Sequence, residues 1–312
     1  MQDYESMVVV TGDGRYRLEL VPAFGRVTNS LIHTAADGSQ TALIAGLHSR
    51  ADLELDRYFR GVALYPFVNR LKDGCYVHNG KRFQFALNEP ALGNSLHGFL
   101  YKQRPRVEQE RSSQQEAEVT LVWRYAGDVP AYPFAAEVRL HCHLHSEHGL
   151  TLSFTVKNLH HQPVPLAIGW HPFFTLGQKL DELWLQLPPV NRIEVNERLL
   201  PTGASRRFDR FDQATAIGDL GLDDCMELLD TGQERASTLL CSPKTGQGIE
   251  IWQMTAEYPY LQVFTPPDRL SIAIEPVSGG INCFNTGRHL RLLGSDEVFA
   301  ARCGVRMMPE GR

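Results

Sequence analysis

The sequence predicts an all-β protein, a large antiparallel β-sandwich with few and short helices. Three observations carry this. Short segments with apolar residues at every second position fill much of the chain, turn-forming residues punctuate the gaps, and helical periodicity is scarce. "YRLELVP", "RFQFAL", "EVTLVWRYAG", "AEVRLHCHLH", "LTLSFTVKNL", "LWLQLP", "IEIWQM" and "LQVFTP" all alternate in this way. Successive strand side chains point to opposite faces, so each segment sends one row into a core and the other outward. "DGSQ", "HNGK", "TGQG", "TPPD" and "VSGG" supply the turns, within a chain holding 26 glycines and 18 prolines. Only "SRADLELDRYFRG" hints at a helix. No linker, low-complexity run, charge block or fixed-period repeat divides the chain, so residues 1–312 read as one β domain. Its function is then expected on loops and on one exposed sheet face.

Composition narrows the class. Hydrophobic residues make up 43% and charged residues 21%, the profile of a folded globular protein. A net charge of -5 and a pI near 6.2 argue against a nucleic-acid surface, which needs clustered positive charge. No apolar run approaches the ~20 residues needed to span a bilayer. The opening "MQDYESMVVVTGDGRY" carries acidic residues early and only a three-valine run, unlike a secretory signal. The six cysteines (Cys75, Cys142, Cys225, Cys241, Cys283, Cys303) include no CxxC pair and read as reduced thiols. A cytoplasmic location is expected, with neither nucleic acid nor membrane as partner.

Four stretches break the alternation by setting polar residues in aromatic or apolar surroundings: "GVALYPFVNRLKDGCY", "GNSLHGFLYKQ", "AIGWHPFFTL" and "IAIEPVSGGINCFN". Each offers one residue whose burial is costly without a partner, namely Arg70, His97, His171 and Glu275. Each also has a structural reading. His97 could be a satisfied histidine beside a turn glycine, and Arg70 half of a surface ion pair after an aromatic strand. Glu275 is harder to explain so, ending an apolar strand before a proline. His171, between Trp170 and Pro172, is the hardest. From the residues alone, a joint site and four separate structural roles both stay open.

Taken in order, these stretches resemble the aldose 1-epimerase (galactose mutarotase-like) superfamily. The resemblance rests on Asn69-Arg70 after a Pro/Tyr-rich strand, His97-Gly98, His171 followed by Phe173 and Phe174, Asp223 in "LDDCMEL", and Glu275 with Asn285 downstream. It runs from about residue 15 to the C-terminus. Asp223 is preferred to its neighbour Asp224 from the spacing to Met226. Two motifs depart from the best-known galactose mutarotases. "GWHPFFTL" stands where they carry Asn-His-x-Tyr-Phe-Asn-Leu, and "ALYPFVNRLK" where they carry Gly-Arg-x-Ala-Asn-Arg-Ile. The Gly-Trp-His-Pro form is similar to a less characterised branch, so reaction type carries over further than sugar identity.

What the resemblance implies is a galactose mutarotase-like fold and an isomerase that interconverts the α and β anomers of a small-molecule aldose, with no cofactor and no metal. That reaction needs a base on the anomeric hydroxyl and an acid on the ring oxygen, exchanging roles once the C1 carbonyl has rotated. A glutamate in an apolar setting is a base with a raised pKa, which suits Glu275. Histidine titrates near neutrality and suits the acid, His171. His97 is then expected to support the ring oxygen or a neighbouring hydroxyl, Arg70, Asn69 and Asp223 to hold sugar hydroxyls, and Trp170 and Phe173 to wall the pocket as aromatic platforms. Two alternatives remain. One is a hexose-6-phosphate 1-epimerase, which needs basic residues at the rim, with "KDGCYVHNGKR", Lys102 and Arg104 as candidates. The other is a non-catalytic carbohydrate-binding sandwich. A competing constellation, His141, His143 and His145 in "RLHCHLHSEH", shares one strand face. Side chains two apart on a straight strand lie ~6–7 Å apart and splay in parallel, so a solvated outer face is the better reading than a zinc triad.

Overall fold

The structure is a computed structural model and describes residues 3–309, the side chain of Gln109 excepted. It is the antiparallel β architecture that the alternation predicts. A twelve-stranded sheet and a nine-stranded sheet account for most of the strands, with three two-stranded ribbons beside them. The nine-stranded sheet holds the long alternating segments. Glu116–Tyr125, Ala136–His145, Gly149–Asn158 and Val298–Met307 pair in that order, and in Ala136–His145 every second residue is buried. Apolar side chains from both sheets, among them Leu18, Leu140, Phe154 and Ile274, join one buried cluster.

Among the described residues, helix is confined to Arg50–Leu55, Cys283–Thr286 and a few single 3-10 turns. The first lies within the one segment with helical periodicity. Ser49 caps it, its hydroxyl accepting the Asp52 N–H. It stops at Asp56 because that carboxylate is committed elsewhere. It accepts the backbone N–H groups of Tyr58 (3.1 Å) and Arg60 (2.8 Å) and pairs with Arg26 at 3.1 Å. The segment 56–60 becomes a turn instead.

Seven strands position the site: β1 (Val62–Leu64), β2 (Arg70–Lys72), β3 (Asn94–Leu96), β4 (Gly169–His171), β5 (Asp223–Leu228), β6 (Tyr260–Phe264) and β7 (Ile272–Val277). β7 lies beside β6, and β6 beside β5, in the twelve-stranded sheet, while β4 pairs with both β7 and β1. β2 and β3 form a separate ribbon in which Arg70 faces Leu96. All six cysteines are free thiols, and no helix among the described residues is long and apolar enough to cross a membrane.

Candidate active site

The register of β7 decides what its neighbours present. Gly169 pairs with Val277 and Phe173 with Ala273, which sets His171 opposite Glu275. On the other side Glu275 pairs with Gln262, and Phe264 pairs with Asp223. Alternation therefore brings His171, Glu275, Gln262, Phe264 and Asp223 to one sheet face, while Ile272 and Ile274 fill the core beneath.

His97 and Arg70 arrive from the separate ribbon. The turn that carries them is locked onto the chain around Tyr65 and Asn69: the His97 N–H donates to the Asn69 carbonyl (3.0 Å) and the Phe99 N–H to the Tyr65 carbonyl (3.0 Å). Gly98 makes the close approach possible. Its φ is +67°, and a Cβ there would lie 2.1 Å from the Tyr65 carbonyl oxygen.

The result is a cleft of about 220 Å³ lined by Asn69, Arg70, Glu89, His97, His171, Asp223, Gln262 and Glu275, with Arg57, Tyr58, Phe59, Leu96 and Phe264 around them. At its floor the Glu275 carboxylate lies 3.4 Å from His171 Nε2, with both side chains nearly fully buried. The His97 and His171 rings meet edge to face at 5.2 Å, and the Nδ1 atom of each is buried without a protein hydrogen-bond partner.

One wall is a polar network. Arg70 donates through Nε and Nη2 to both Glu89 oxygens (2.9–3.1 Å) and lies 3.6 Å from Asp223. Asn69 Nδ2 donates to Gln262 (2.9 Å), and Gln262 Nε2 donates to Asp223 (2.7 Å). Each member is oriented by the next, which is the preorganisation that hydroxyl recognition requires.

Burial drives the titrating groups apart rather than together near neutrality. It pushes the Glu275 carboxyl well above its ordinary value, with the Asp223 charge adding to the shift. It pulls His171 down to about 3, and Arg26 and Arg60 add to the fall. His97 is held well below the usual imidazole range by burial, His171 and Arg70. The expectation that His171 stays near its free value is corrected here: a fully desolvated imidazole among arginines resists protonation. These shifts favour the proton on the carboxyl and neutral forms of both imidazoles. Burial raises Asp223 as well, opposed by Arg70.

Two expected site residues do not reach the cleft. Trp170 is buried on the opposite side of β4 from His171, its Nε1–H donating to the Thr28 hydroxyl at 2.8 Å. Phe173 lies beneath the site, stacked on the His171 ring at 5.4 Å and covered by the Arg60 guanidinium at 4.2 Å. The aromatic wall is built instead by Tyr58, Phe59 and Phe264, with Phe59 packed on His97 at 4.8 Å. Asp224 turns away to Arg192 (3.5 Å), and Asn285 holds the Cys75 carbonyl (2.9 Å) outside the cleft. Sequence reasoning missed Glu89, Gln262 and the 57–59 wall. The rings of His141, His143 and His145 lie 6.2 and 6.4 Å apart facing Glu116 and Glu118, and no metal-holding group of three such side chains occurs among the described residues.

Comparison with known proteins bears on the family and the fold. The sequence profile of the family described as aldose 1-epimerase matches residues 30–301. The chain is 27% identical over 247 residues, 75% of each sequence, to an uncharacterized Escherichia coli protein, YihR. In fold it is similar to a galactose mutarotase-like protein from Clostridium acetobutylicum, with a TM-score of 0.86 and 19% identity over 98% of this chain and 95% of that one. It is also similar to galactose 1-epimerase from Lactobacillus acidophilus, with a TM-score of 0.78 and 19% identity over 97% and 94% of the two chains. The chain belongs to the aldose 1-epimerase family.

Proposed function

We propose that the protein interconverts the α and β anomers of an aldose by acid–base opening and closure of the ring, with Glu275 and His171 as the working pair. The observation that carries the reading is their 3.4 Å separation at the floor of a cleft whose wall is rich in hydroxyl-binding groups.

Opening begins with the Glu275 carboxylate taking the proton of the anomeric hydroxyl. The C1–O5 bond breaks as C1–O1 becomes a carbonyl, and the His171 imidazolium gives its proton to O5. The pair is left as carboxyl and neutral imidazole. After rotation about C1–C2 the roles reverse: His171 takes the proton back from O5 as it attacks C1, and Glu275 protonates the former carbonyl oxygen. No atom or electron is left over, and no cofactor enters.

Burial favours carboxyl plus neutral imidazole, which in this scheme is the state that accompanies the open chain. The resting pair holds the same arrangement, so burial alone gives the intermediate no advantage over the resting enzyme. Entering the cycle requires one proton to pass from Glu275 to His171. Sugar hydroxyls donating to the carboxylate favour that transfer. His97 supports the ring oxygen, and Arg70, Asn69 and Asp223 hold the hydroxyls. Exchange NMR of anomers across a panel of aldoses tests the reading. Binding without accelerated exchange would leave a carbohydrate-binding sandwich.

A further inference from the structure

Phosphorylated or otherwise anionic sugars need a cation at the rim, and the basic residues that sequence reasoning offers do not supply one. Lys102 lies over the Tyr101 ring (5.4 Å), and Arg104 pairs with Glu5 (3.4 Å). Neither they nor Lys72, Lys81 and Arg82 line the cleft. Arg70 is committed to Glu89 and Asp223. Arg57 is different. It lines the cleft, is exposed, and has no hydrogen-bond or ion-pair partner among the described residues.

Its backbone is fixed nonetheless. The buried Asp56 carboxylate holds the N–H groups on both sides of the turn, Tyr58 and Arg60, and pairs with Arg26 and Arg60. Phe59 sits at φ +55°. A rigid turn thus presents one uncommitted guanidinium, whose forked donors match an oxyanion.

Sugar connectivity says which substituent meets it. In a pyranose the exocyclic carbon C6 is attached to C5, the atom bonded to the ring oxygen. With O5 at the histidines, C6 leaves the ring on the histidine side. That side is walled by Phe59, packed on His97, and Arg57 stands two residues before Phe59 on the same turn. The C2–C4 hydroxyls are left to the Arg70–Asp223 network.

We propose that the cleft prefers an aldose bearing an oxyanion on C6 (phosphate, sulfonate or carboxylate) and that Arg57 binds it. The inference rests on the anomer-exchange reading above and names its substrate class.

The test is exchange NMR with the full chain on glucose and its 6-phosphate, 6-sulfonate and 6-carboxylate counterparts. For at least one anionic sugar, kcat/KM is expected to exceed that of glucose by roughly 10- to 100-fold, a preference that added salt weakens. Arg57→Gln is expected to bring the ratio to within about threefold, since one charge-assisted contact is removed. Equal rates for glucose and every anionic sugar, or a variant that slows all of them alike, overturns the proposal while leaving the exchange reading intact. Failure to exchange any aldose overturns the exchange reading instead. Calorimetric binding of the same four sugars then decides this inference: a preference for an anionic sugar that Arg57→Gln abolishes supports it, and equal binding overturns it.

Discussion

Replacing Glu275 by glutamine tests the electrostatics of the floor through stability alone. The carboxyl is 2% exposed, and burial raises its pKa well above 4.5. An unfolded chain ionises this group near 4.5, while the folded protein keeps it protonated to higher pH. A raised folded pKa means that the contribution to stability is full below 4.5 and is lost as pH rises towards the folded value. Each pH unit in that window costs the folded state about 1.4 kcal/mol. Glutamine preserves shape and hydrogen bonding and does not titrate. For a chain of 312 residues that cost corresponds to about 2 °C in Tm per pH unit. The assay is differential scanning calorimetry of both proteins from about pH 4.5 to 8, read as the difference in Tm, variant minus wild type. Subtraction matters because His97 and His171 contribute oppositely: their lowered pKa values make both proteins gain stability as pH rises towards 6.5. The Tm difference is expected to grow with pH. A difference that is flat, or that falls as pH rises, refutes the claim that Glu275 is held protonated by burial.

Two further perturbations read the walls. Arg70→Ala removes the bidentate contact to Glu89 and leaves Asp223 uncompensated. It is expected to raise KM by roughly 10- to 100-fold with a smaller effect on kcat, and a variant with wild-type KM would exclude Arg70 from sugar binding. Gly98→Ala drives a Cβ to 2.1 Å from the Tyr65 carbonyl at φ +67°, so it is expected to destabilise the protein by on the order of 3 kcal/mol or more. A wild-type melting temperature would show that the turn carrying His97 is looser than its contacts indicate.

The strands were legible because alternation over ten residues, as in Ala136–His145, has one physical meaning. Four of the polar residues set in apolar stretches, Arg70, His97, His171 and Glu275, meet in one cleft because burying each required partners. Trp170 was misassigned although the signal was available: neighbours on a strand face opposite ways, so a cleft-facing His171 sends Trp170 into the core. Phe173 shares the side of His171 but lies underneath it, which depends on depth and not on parity. Glu89 sits in "LNEP", which reads as an ordinary surface loop, and only its contact with Arg70 marks it. Gln262 becomes visible through its register with Glu275, a relation between strands that local sequence does not encode. Arg57, Tyr58 and Phe59 looked like the tail of a helix. Asp56 turns them into a wall by accepting N–H groups that a helix would have used.

The central claim is that Glu275 exchanges a proton with the anomeric hydroxyl. Its most direct test is the anomer-exchange rate of Glu275→Gln against wild type, on the sugar the wild type turns over fastest, at saturating concentration. The variant is expected to fold and to bind that sugar, with kcat reduced by roughly 10²- to 10⁴-fold. A folded Glu275→Gln protein exchanging anomers at the wild-type rate would contradict the account.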